Sequence, residues 1–75
     1  MVGALINSNL LKSQMVLRGT SRKDLATALN KSVVTTNRKV NGKVAFTAPE
    51  IQACVELLGL DTDTANSIFF AEKMS

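Results

Sequence analysis

Hydrophobic side chains recur at helical spacing near the start of the chain. Leu11 and Met15 lie four residues apart, and an adjoining strip of the same helix holds Leu10 and Leu17. This pattern, followed by a glycine, predicts an amphipathic helix over residues 9–18. For residues 1–8 the sequence leaves three alternatives: an extension of this helix, a short strand at 4–6 or a frayed end.

A second helix is predicted to begin at Thr20 or Ser21. A hydroxyl there can accept a hydrogen bond from a free backbone N–H, and Asp24 follows near the positive end of the helix dipole. The hydrophobic stripe of this helix consists of Leu25, Ala26 and Leu29. Asn30 tolerates a left-handed backbone, so a tight turn is expected after the stripe.

The segment KSVVTTNRKVNGK, residues 31–43, carries conflicting signals. Four consecutive β-branched residues favour a strand, but Ser32 can cap a helix and the pair Asn41-Gly42 can end one. In a helix, Thr36 and Val40 share one side with Val33 at its margin, while the other side holds Val34, Asn37, Arg38 and Asn41. A strand leaves neither face apolar, and β-branching costs a helix only about 1–2 kcal/mol here. A helix is therefore predicted.

Two more helices are predicted in the remainder of the chain. Thr47 and Glu50 have the spacing of a capping box, with Pro49 in the first turn. The stripe of this fourth helix is Ile51, Cys54, Val55 and Leu58. Asp61 or Thr62 begins a fifth helix whose shared face is Ala65, Ile68 and Phe69. The fold class predicted is all-α with five helices.

Length and composition indicate one small globular domain spanning residues 1–75. The chain is 45% apolar and 20% charged. No apolar run approaches the roughly 18–20 residues of a membrane span, and the first residues lack the features of a signal peptide, so we expect a cytoplasmic protein. Without histidine, and with one cysteine, Cys54, expected to be a buried hydrophobe, we expect no metal, cofactor or disulfide. No nucleophile, acid–base pair or phosphate-loop motif indicates an enzyme.

Charge is distributed unevenly along the chain. Residues 1–43 hold eight cations and one carboxylate, a net charge of +7, whereas residues 44–75 hold one cation and five carboxylates, a net charge of −4. A basic half of this kind is typical of proteins that bind polyanions, although a solvated basic face without a partner is the alternative.

Two short helices joined by a tight turn, the second exposing polar and basic side chains, match a helix-turn-helix over about residues 21–42. The pattern Leu25-Ala26-x-x-Leu29-Asn30-x-Ser32-x-x-Thr35-x-x-Arg38-x-x-Asn41-Gly42-Lys43 resembles that of phage Cro and repressor DNA-binding domains. Later positions are similar to small Cro-like proteins of phages and prophages of Gram-positive bacteria: Phe46-Thr47, Glu50-Ile51, Leu57-Leu58-Gly59-Leu60 and Ile68-Phe69-Phe70. The resemblance covers roughly residues 10–72.

The sequence departs from that family pattern at three positions. Lys31 and Thr36 stand where the family usually has aliphatic residues that seat the second helix of the motif on the first. The stem of Lys31 and the methyl group of Thr36 are expected to replace part of that contact. Asn30 in place of the usual glycine is a smaller change.

The resemblance implies that the third helix enters the major groove of DNA through Val33, Val34, Asn37 and Arg38. Arg38 can pair with guanine O6 and N7, Asn37 with adenine, and Val34 can touch a thymine methyl group. The alternatives are a phosphate contact for Arg38 and core packing for Val33.

A second set of side chains is positioned to hold the sugar-phosphate backbone: Arg22, Ser32, Thr35, Asn41 and Lys43. Cations supply charge to such contacts, while hydroxyls, amides and helix N-termini supply donors. Ser32 has helix capping as an alternative role that can coexist with this one. Lys12 and Lys39 are expected to be solvated or to act as long-range steering charges.

We expect a DNA-binding transcriptional repressor that occupies its operator as a homodimer in the bacterial cytoplasm. Phe70 is a candidate dimer contact because it points away from the face of Phe69, although it could instead fold back onto its own domain. One alternative is an antirepressor or other protein-interaction module that covers the DNA-binding face of a phage repressor. Another is a nonspecific nucleic-acid binder.

Overall fold

Five α-helices make up most of residues 6–70, the part of the chain that this computed structural model describes. They are α1 Ser8–Leu17, α2 Arg22–Leu29, α3 Val33–Val40, α4 Ala48–Leu58 and α5 Thr62–Phe69. No strand occurs within these residues. The prediction of an all-α chain with five helices is confirmed.

The first helix begins one residue earlier than its hydrophobic pattern predicts. The side chain of Asn7 caps it by accepting a hydrogen bond from the Leu10 N–H (3.1 Å). The Asn7 N–H in turn donates to the Ile68 carbonyl of α5 at 2.8 Å. Within residues 6–8, α1 extends back only to Ser8. The alternatives predicted for residues 1–5 lie outside the described part of the chain.

Local capping explains why α2 and α3 form where they do. Ser21, not Thr20, caps α2: its hydroxyl accepts from the Asp24 N–H, and the Asp24 carboxylate accepts from the Ser21 N–H, both at 3.0 Å. Asn30 ends the helix in a left-handed conformation with φ 59° and ψ 43°, as predicted. Ser32 then caps α3, so the β-branched run is helical.

The fourth and fifth helices also begin at predicted caps. Thr47 and Glu50 form the capping box of α4, and Pro49 lies in its first turn. Asp61, not Thr62, caps α5 by accepting from the Thr64 N–H at 2.7 Å. This hydrogen bond lowers the pKa of the exposed Asp61 carboxyl. The backbone N–H of Ser21 has the same effect on Asp24 in α2.

One hydrophobic core joins the five helices. Its members are Leu11, Met15, Leu25, Leu29, Val40, Cys54, Leu58, Leu60, Ala65, Ile68 and Phe69. Helix α2 packs against α3 and α4, and α1 packs against α5 and α3. The rings of Phe46 and Phe69 meet edge to face, 5.2 Å apart at an interplanar angle of 75°. Phe46 thereby closes the loop between α3 and α4 over the core.

The structure differs from the predicted hydrophobic stripes in two helices. Leu17 of α1 is 71% exposed, because it lies on the outer side with Val16. In α4, Ile51 and Val55 are only half-buried, while the charged Glu50 is buried. Helix α4 is therefore rotated so that its capping carboxylate faces inward.

Thr36 and Lys31, two of the three positions at which the sequence departs from the Cro-like pattern, have different outcomes. Thr36 occupies its core position completely, with 0% exposure, and its hydroxyl has no hydrogen-bond partner within residues 6–70. Lys31 is exposed, and the packing predicted for its stem stays a prediction. Helices α2 and α3 pack against each other, and Leu25 and Leu29 of α2 and Thr36 and Val40 of α3 are all buried.

Within residues 6–70 no helix has both the length and the apolar character that crossing a membrane requires.

Candidate functional site

The outward side of α3 carries most of the residues predicted to contact DNA bases. Val34 is 63% exposed, Val33 is exposed to a lesser degree, and Arg38 is exposed. Asn37 is half-buried. Since Thr36 and Val40 face the core, the helical repeat necessarily turns Val34 and Arg38 away from it. Two exposed valines beside a guanidinium form a surface that can contact both apolar and acceptor groups.

Arg22 and Asn37 are joined across the two helices. Nη1 of Arg22, the first residue of α2, donates to Oδ1 of Asn37 at 2.6 Å, and both side chains are half-buried. A charged donor makes this hydrogen bond stronger than a neutral one. Arg22 thus holds the Asn37 amide in place while keeping further N–H donors on its guanidinium.

The N-terminus of α3 is organised by two hydroxyls. Ser32 Oγ accepts from the Thr35 N–H at 3.1 Å and donates its own proton to Thr35 Oγ1 at 3.0 Å. The capping role predicted for Ser32 is confirmed. Because the Ser32 proton is engaged, the hydroxyl at this helix end that can donate outward belongs to Thr35.

The segment after α3 contains the last two predicted backbone contacts. Asn41 and Lys43 are both exposed, and the Lys43 N–H donates to the Arg38 carbonyl at 2.8 Å. Gly42 between them has φ 79°, a conformation that a side chain would strain. A Cβ added there would also lie 3.4 Å from the Ser8 hydroxyl of α1. The turn at Gly42 therefore directs the chain at Lys43 back toward the end of α3.

Lys39 is not a solvated or steering charge, and this prediction is wrong. Its side chain is buried, with 5% exposure, and its ammonium lies 2.9 Å from Glu50 Oε1. The same ammonium donates to the Ala45 carbonyl at 2.9 Å and lies 5.9 Å from the centroid of the Phe46 ring. A buried cation requires such partners, because leaving it unpaired in the core is costly. Lys12, the other residue in that prediction, is half-buried.

Glu50 balances this charge from the first turn of α4. Burial, the largest single influence, raises the pKa of its carboxyl, but the hydrogen bond from the Thr47 N–H and the contacts with Lys39 together outweigh burial. The net result is a pKa lowered from its usual value of 4.5. The carboxylate therefore remains ionised and ties α4 to the last turn of α3.

The exposed charged side chains between Asp24 and Glu50 are all cationic. The sequence contains no carboxylate between Asp24 and Glu50. With Lys39 neutralised by Glu50, the exposed cations of that interval are Lys31, Arg38 and Lys43. A segment with three exposed cations and no carboxylate of its own favours binding of an anionic partner.

Two further predictions concern residues away from this surface. Cys54 is buried among hydrophobic residues as expected, and burial, with a smaller effect of the Glu50 charge, raises the pKa of its thiol from 9.0 to about 12. Phe70 follows α5 and is 39% exposed, whereas Phe69 is in the core. The dimer contact through Phe70 stays a prediction.

Sequence reasoning missed the two side-chain pairs that hold α3. Lys39 lies about 60° from Thr36 around a helix, close enough to the core face to have signalled an inward cation. The capping carboxylate of Glu50 was the nearest anion later in the chain. For the Arg22–Asn37 pair no local signal exists, because the two residues are 15 positions apart and on different helices.

Comparisons of the chain with protein-family models, with curated proteins and with solved structures find no match in any of the three.

Proposed function

We propose that this protein is a sequence-specific DNA-binding transcriptional regulator, a Cro-like repressor in which α2 and α3 act as a helix-turn-helix. Helix α3 lies in the major groove of operator DNA, and two copies of the chain bind the two halves of the operator. Occupation of a promoter, without catalysis, is then sufficient for repression. The observation that carries this proposal is the outward side of α3, where Val34 and Arg38 are exposed on a helix whose other side is firmly seated.

The chemistry of the exposed side chains divides them between base and backbone contacts. Val33 and Val34 can touch thymine methyl groups, and Arg38 can donate to guanine O6 and N7. Around them, Arg22, Thr35, Asn41 and Lys43 offer charge or hydrogen-bond donors to phosphates. Ser32 contributes chiefly by capping α3, which leaves the helix N-terminus directed at the phosphate backbone.

The rigidity of α3 supports the same function. A helix that reads bases has to keep its side chains in one orientation, because a small rotation moves each of them away from its base edge. Here the last turn of α3 is tied to α4 by Lys39 and Glu50, and its middle is tied to α2 by Asn37 and Arg22. Such supporting contacts preorganise a binding surface.

Selection of DNA by the purified full chain tests this proposal. A pool of duplexes with a random central region is bound, recovered and sequenced over several rounds, and the enriched duplex is then titrated at several salt concentrations. We expect one enriched, two-fold symmetric sequence, preferred about a thousandfold over an unrelated duplex. The logarithm of affinity should fall with the logarithm of salt concentration with a slope of several units.

Other outcomes of the same selection contradict the proposal in different ways. Salt-dependent binding without an enriched sequence indicates a nonspecific nucleic-acid binder. Weak binding to every duplex removes DNA as the partner and leaves a protein-interaction module, such as an antirepressor, in its place.

A further inference from the structure

A groove of about 490 Å³ is formed by one side of α2 and by the turn that leads into α3. Lys23 of α2 and Lys31 of the turn line it, together with Asn30, and none of its lining residues is acidic. Both lysines are exposed, and neither ammonium forms an ion pair or a hydrogen bond within residues 6–70. The groove thus offers two cations that the predicted set of DNA contacts does not include.

Local structure explains why this groove is open and cationic. Ala26 lines it with only a methyl group, and Asn30 turns the chain in a left-handed conformation with φ 59°. The carboxylate closest to Lys23 in the sequence belongs to Asp24, and it accepts the Ser21 N–H in the capping box at 3.0 Å. Since that carboxylate is held at the beginning of α2, the two ammonium groups stay available to a partner.

The groove is continuous with the candidate DNA-binding surface. Ser32 and Val33, the cap and the first residue of α3, also line the groove, and both are predicted to contact DNA. Val33 is 42% exposed. A DNA strand that passes the beginning of α3 therefore also passes the groove.

The dimensions of DNA place a phosphate strand within reach of these cations. The major groove is about 12 Å wide, so the axis of a helix lying midway in it is about 6 Å from either bordering strand. The flexible four-carbon stem of a lysine spans a distance of this size. Lysines beside the beginning of α3 can therefore contact the strand that borders the major groove on that side.

We infer that this groove holds one sugar-phosphate strand of the operator, with Lys23 and Lys31 contacting neighbouring phosphates. The inference rests on the proposed function and extends the DNA contact from α3 to the side of α2. An acidic protein segment would meet the same two charges, but it would have to share Ser32 and Val33 with the DNA. Phosphate contacts do not read bases, so they add affinity for every sequence alike.

Titration of DNA with charge variants tests the inference. The selected duplex and an unrelated duplex are titrated at several salt concentrations with Lys23→Ala, Lys31→Ala and the double variant. Each single variant should weaken binding to both duplexes by the same factor and reduce the salt slope by about one unit, because each phosphate contact releases about 0.9 counterions. The double variant should reduce it by about two units, whereas Lys31→Arg should keep it.

Arg18→Ala is the matched control, because it removes an exposed cation at the end of α1, outside the groove. We expect it to change the salt slope by less than about half a unit. All these variants should keep the helix content and the Tm of the unsubstituted protein, since the replaced side chains are exposed. Circular dichroism checks both quantities.

Uncharged phosphates locate the contacts on the DNA. Each phosphate of the selected site is replaced in turn by a neutral methylphosphonate, and each modified duplex is titrated. With the unsubstituted protein, the replacement should weaken binding at several positions. With the double lysine variant, two neighbouring positions on one strand should lose this effect, while Lys43→Ala should remove it at a different position.

A double variant that keeps the salt slope and the methylphosphonate pattern of the unsubstituted protein overturns the inference. Equal reductions of the slope in Lys31→Ala and Arg18→Ala also overturn it, because they show an effect of net charge alone. In both cases an unsubstituted protein that enriches one duplex leaves the proposed function intact, and the groove then remains exposed on DNA for an acidic protein. An unsubstituted protein that enriches no sequence overturns both.

Discussion

The ammonium of Lys39 in α3 lies 2.9 Å from a carboxylate oxygen of Glu50 in α4, and both residues are buried, with 5% and 6% exposure. Oε1 of Glu50 also accepts the Thr47 N–H at 2.9 Å, and the ammonium also donates to the Ala45 carbonyl. One charge pair therefore fixes the end of α3, the loop after it and the beginning of α4. Loss of this ion pair should lower the stability of the protein and weaken binding by α3.

Replacing Lys39 alone should destabilise the protein strongly. Lys39→Met keeps the length of the side chain but leaves the Glu50 charge buried without its partner, so the free energy of unfolding should fall by about 3 kcal/mol. Urea denaturation followed by circular dichroism measures this change. Lys43→Met, which removes an exposed cation close by, is the control and should change the free energy of unfolding by less than about 0.5 kcal/mol.

The double variant Lys39→Met/Glu50→Gln should recover most of the stability lost in Lys39→Met. A glutamine at the third position of α4 can still accept the Thr47 N–H in the capping box, but it brings no charge into the core. A double variant no more stable than Lys39→Met would show that the ion pair is not the source of the loss.

The lowered pKa of Glu50 predicts a loss of stability in acid. A carboxyl whose pKa is lower in the folded state contributes stability that is present above its unfolded pKa and is lost as the pH falls through the folded value. The contribution of Glu50 should therefore disappear as the pH falls below its usual value of 4.5. Denaturant unfolding over a pH series measures this contribution. At acidic pH, the free energy of unfolding should change less steeply with pH in Glu50→Gln than in the unsubstituted protein. Asp24 and Asp61, with lowered pKa values, account for the slope that remains.

Replacing Thr36 by valine should stabilise the protein. The Thr36 hydroxyl is fully buried without a hydrogen-bond partner in the described part of the chain, and valine has the same shape without that polar group. Removing the unsatisfied hydroxyl should add about 1–2 kcal/mol, which raises the Tm by about 5 °C or more. Thr27→Val, which removes an exposed hydroxyl bonded to the Lys23 carbonyl, should not raise the Tm. A lower Tm for Thr36→Val would mean that the hydroxyl is satisfied in solution.

Arg38 and Lys43 should differ in their effect on DNA selection. Arg38→Ala should relax the base preference at one position of each half-site, at a cost of about 1–3 kcal/mol in discrimination. Lys43→Ala should weaken binding to all duplexes alike and reduce the salt slope by about one unit. Titration of the selected duplex and of single-base variants separates the two effects. Equal behaviour of both variants contradicts the division into base and backbone contacts.

The Cys54 thiol should be unreactive in the folded protein. Burial raises its pKa to about 12, so at mildly alkaline pH the folded protein holds almost no thiolate, the species that reacts with disulfide reagents. Labelling with a chromogenic disulfide should follow global unfolding and become fast in denaturant. Since the pKa is raised by folding, stability from this group is complete below the usual pKa of 9.0 and declines as the pH rises toward 12. Rapid labelling under native conditions would contradict the burial of Cys54.

The local elements of this fold could be read from the sequence because their causes are close together in the chain. Capping pairs such as Ser21 with Asp24 and Thr47 with Glu50 are three residues apart, and a helix begins wherever such a pair precedes a hydrophobic stripe. Capping signals also outweigh the strand preference of the β-branched residues 33–36, and this segment is helical. The outward position of Val34 and Arg38 followed from the helical repeat once Thr36 and Val40 were placed inside.

Only the tertiary structure decided which charges are available at the candidate surface. Lys39 and Glu50 meet because of how α4 is rotated and positioned against α3, and Arg22 meets Asn37 because of how α2 packs on α3. Rotation and crossing of helices depend on the simultaneous packing of every core side chain, which no local pattern encodes. The sequence by itself thus determined the five helices and the inward positions of most of their hydrophobic residues. The folded core determined which polar side chains bind one another and which remain exposed for a partner.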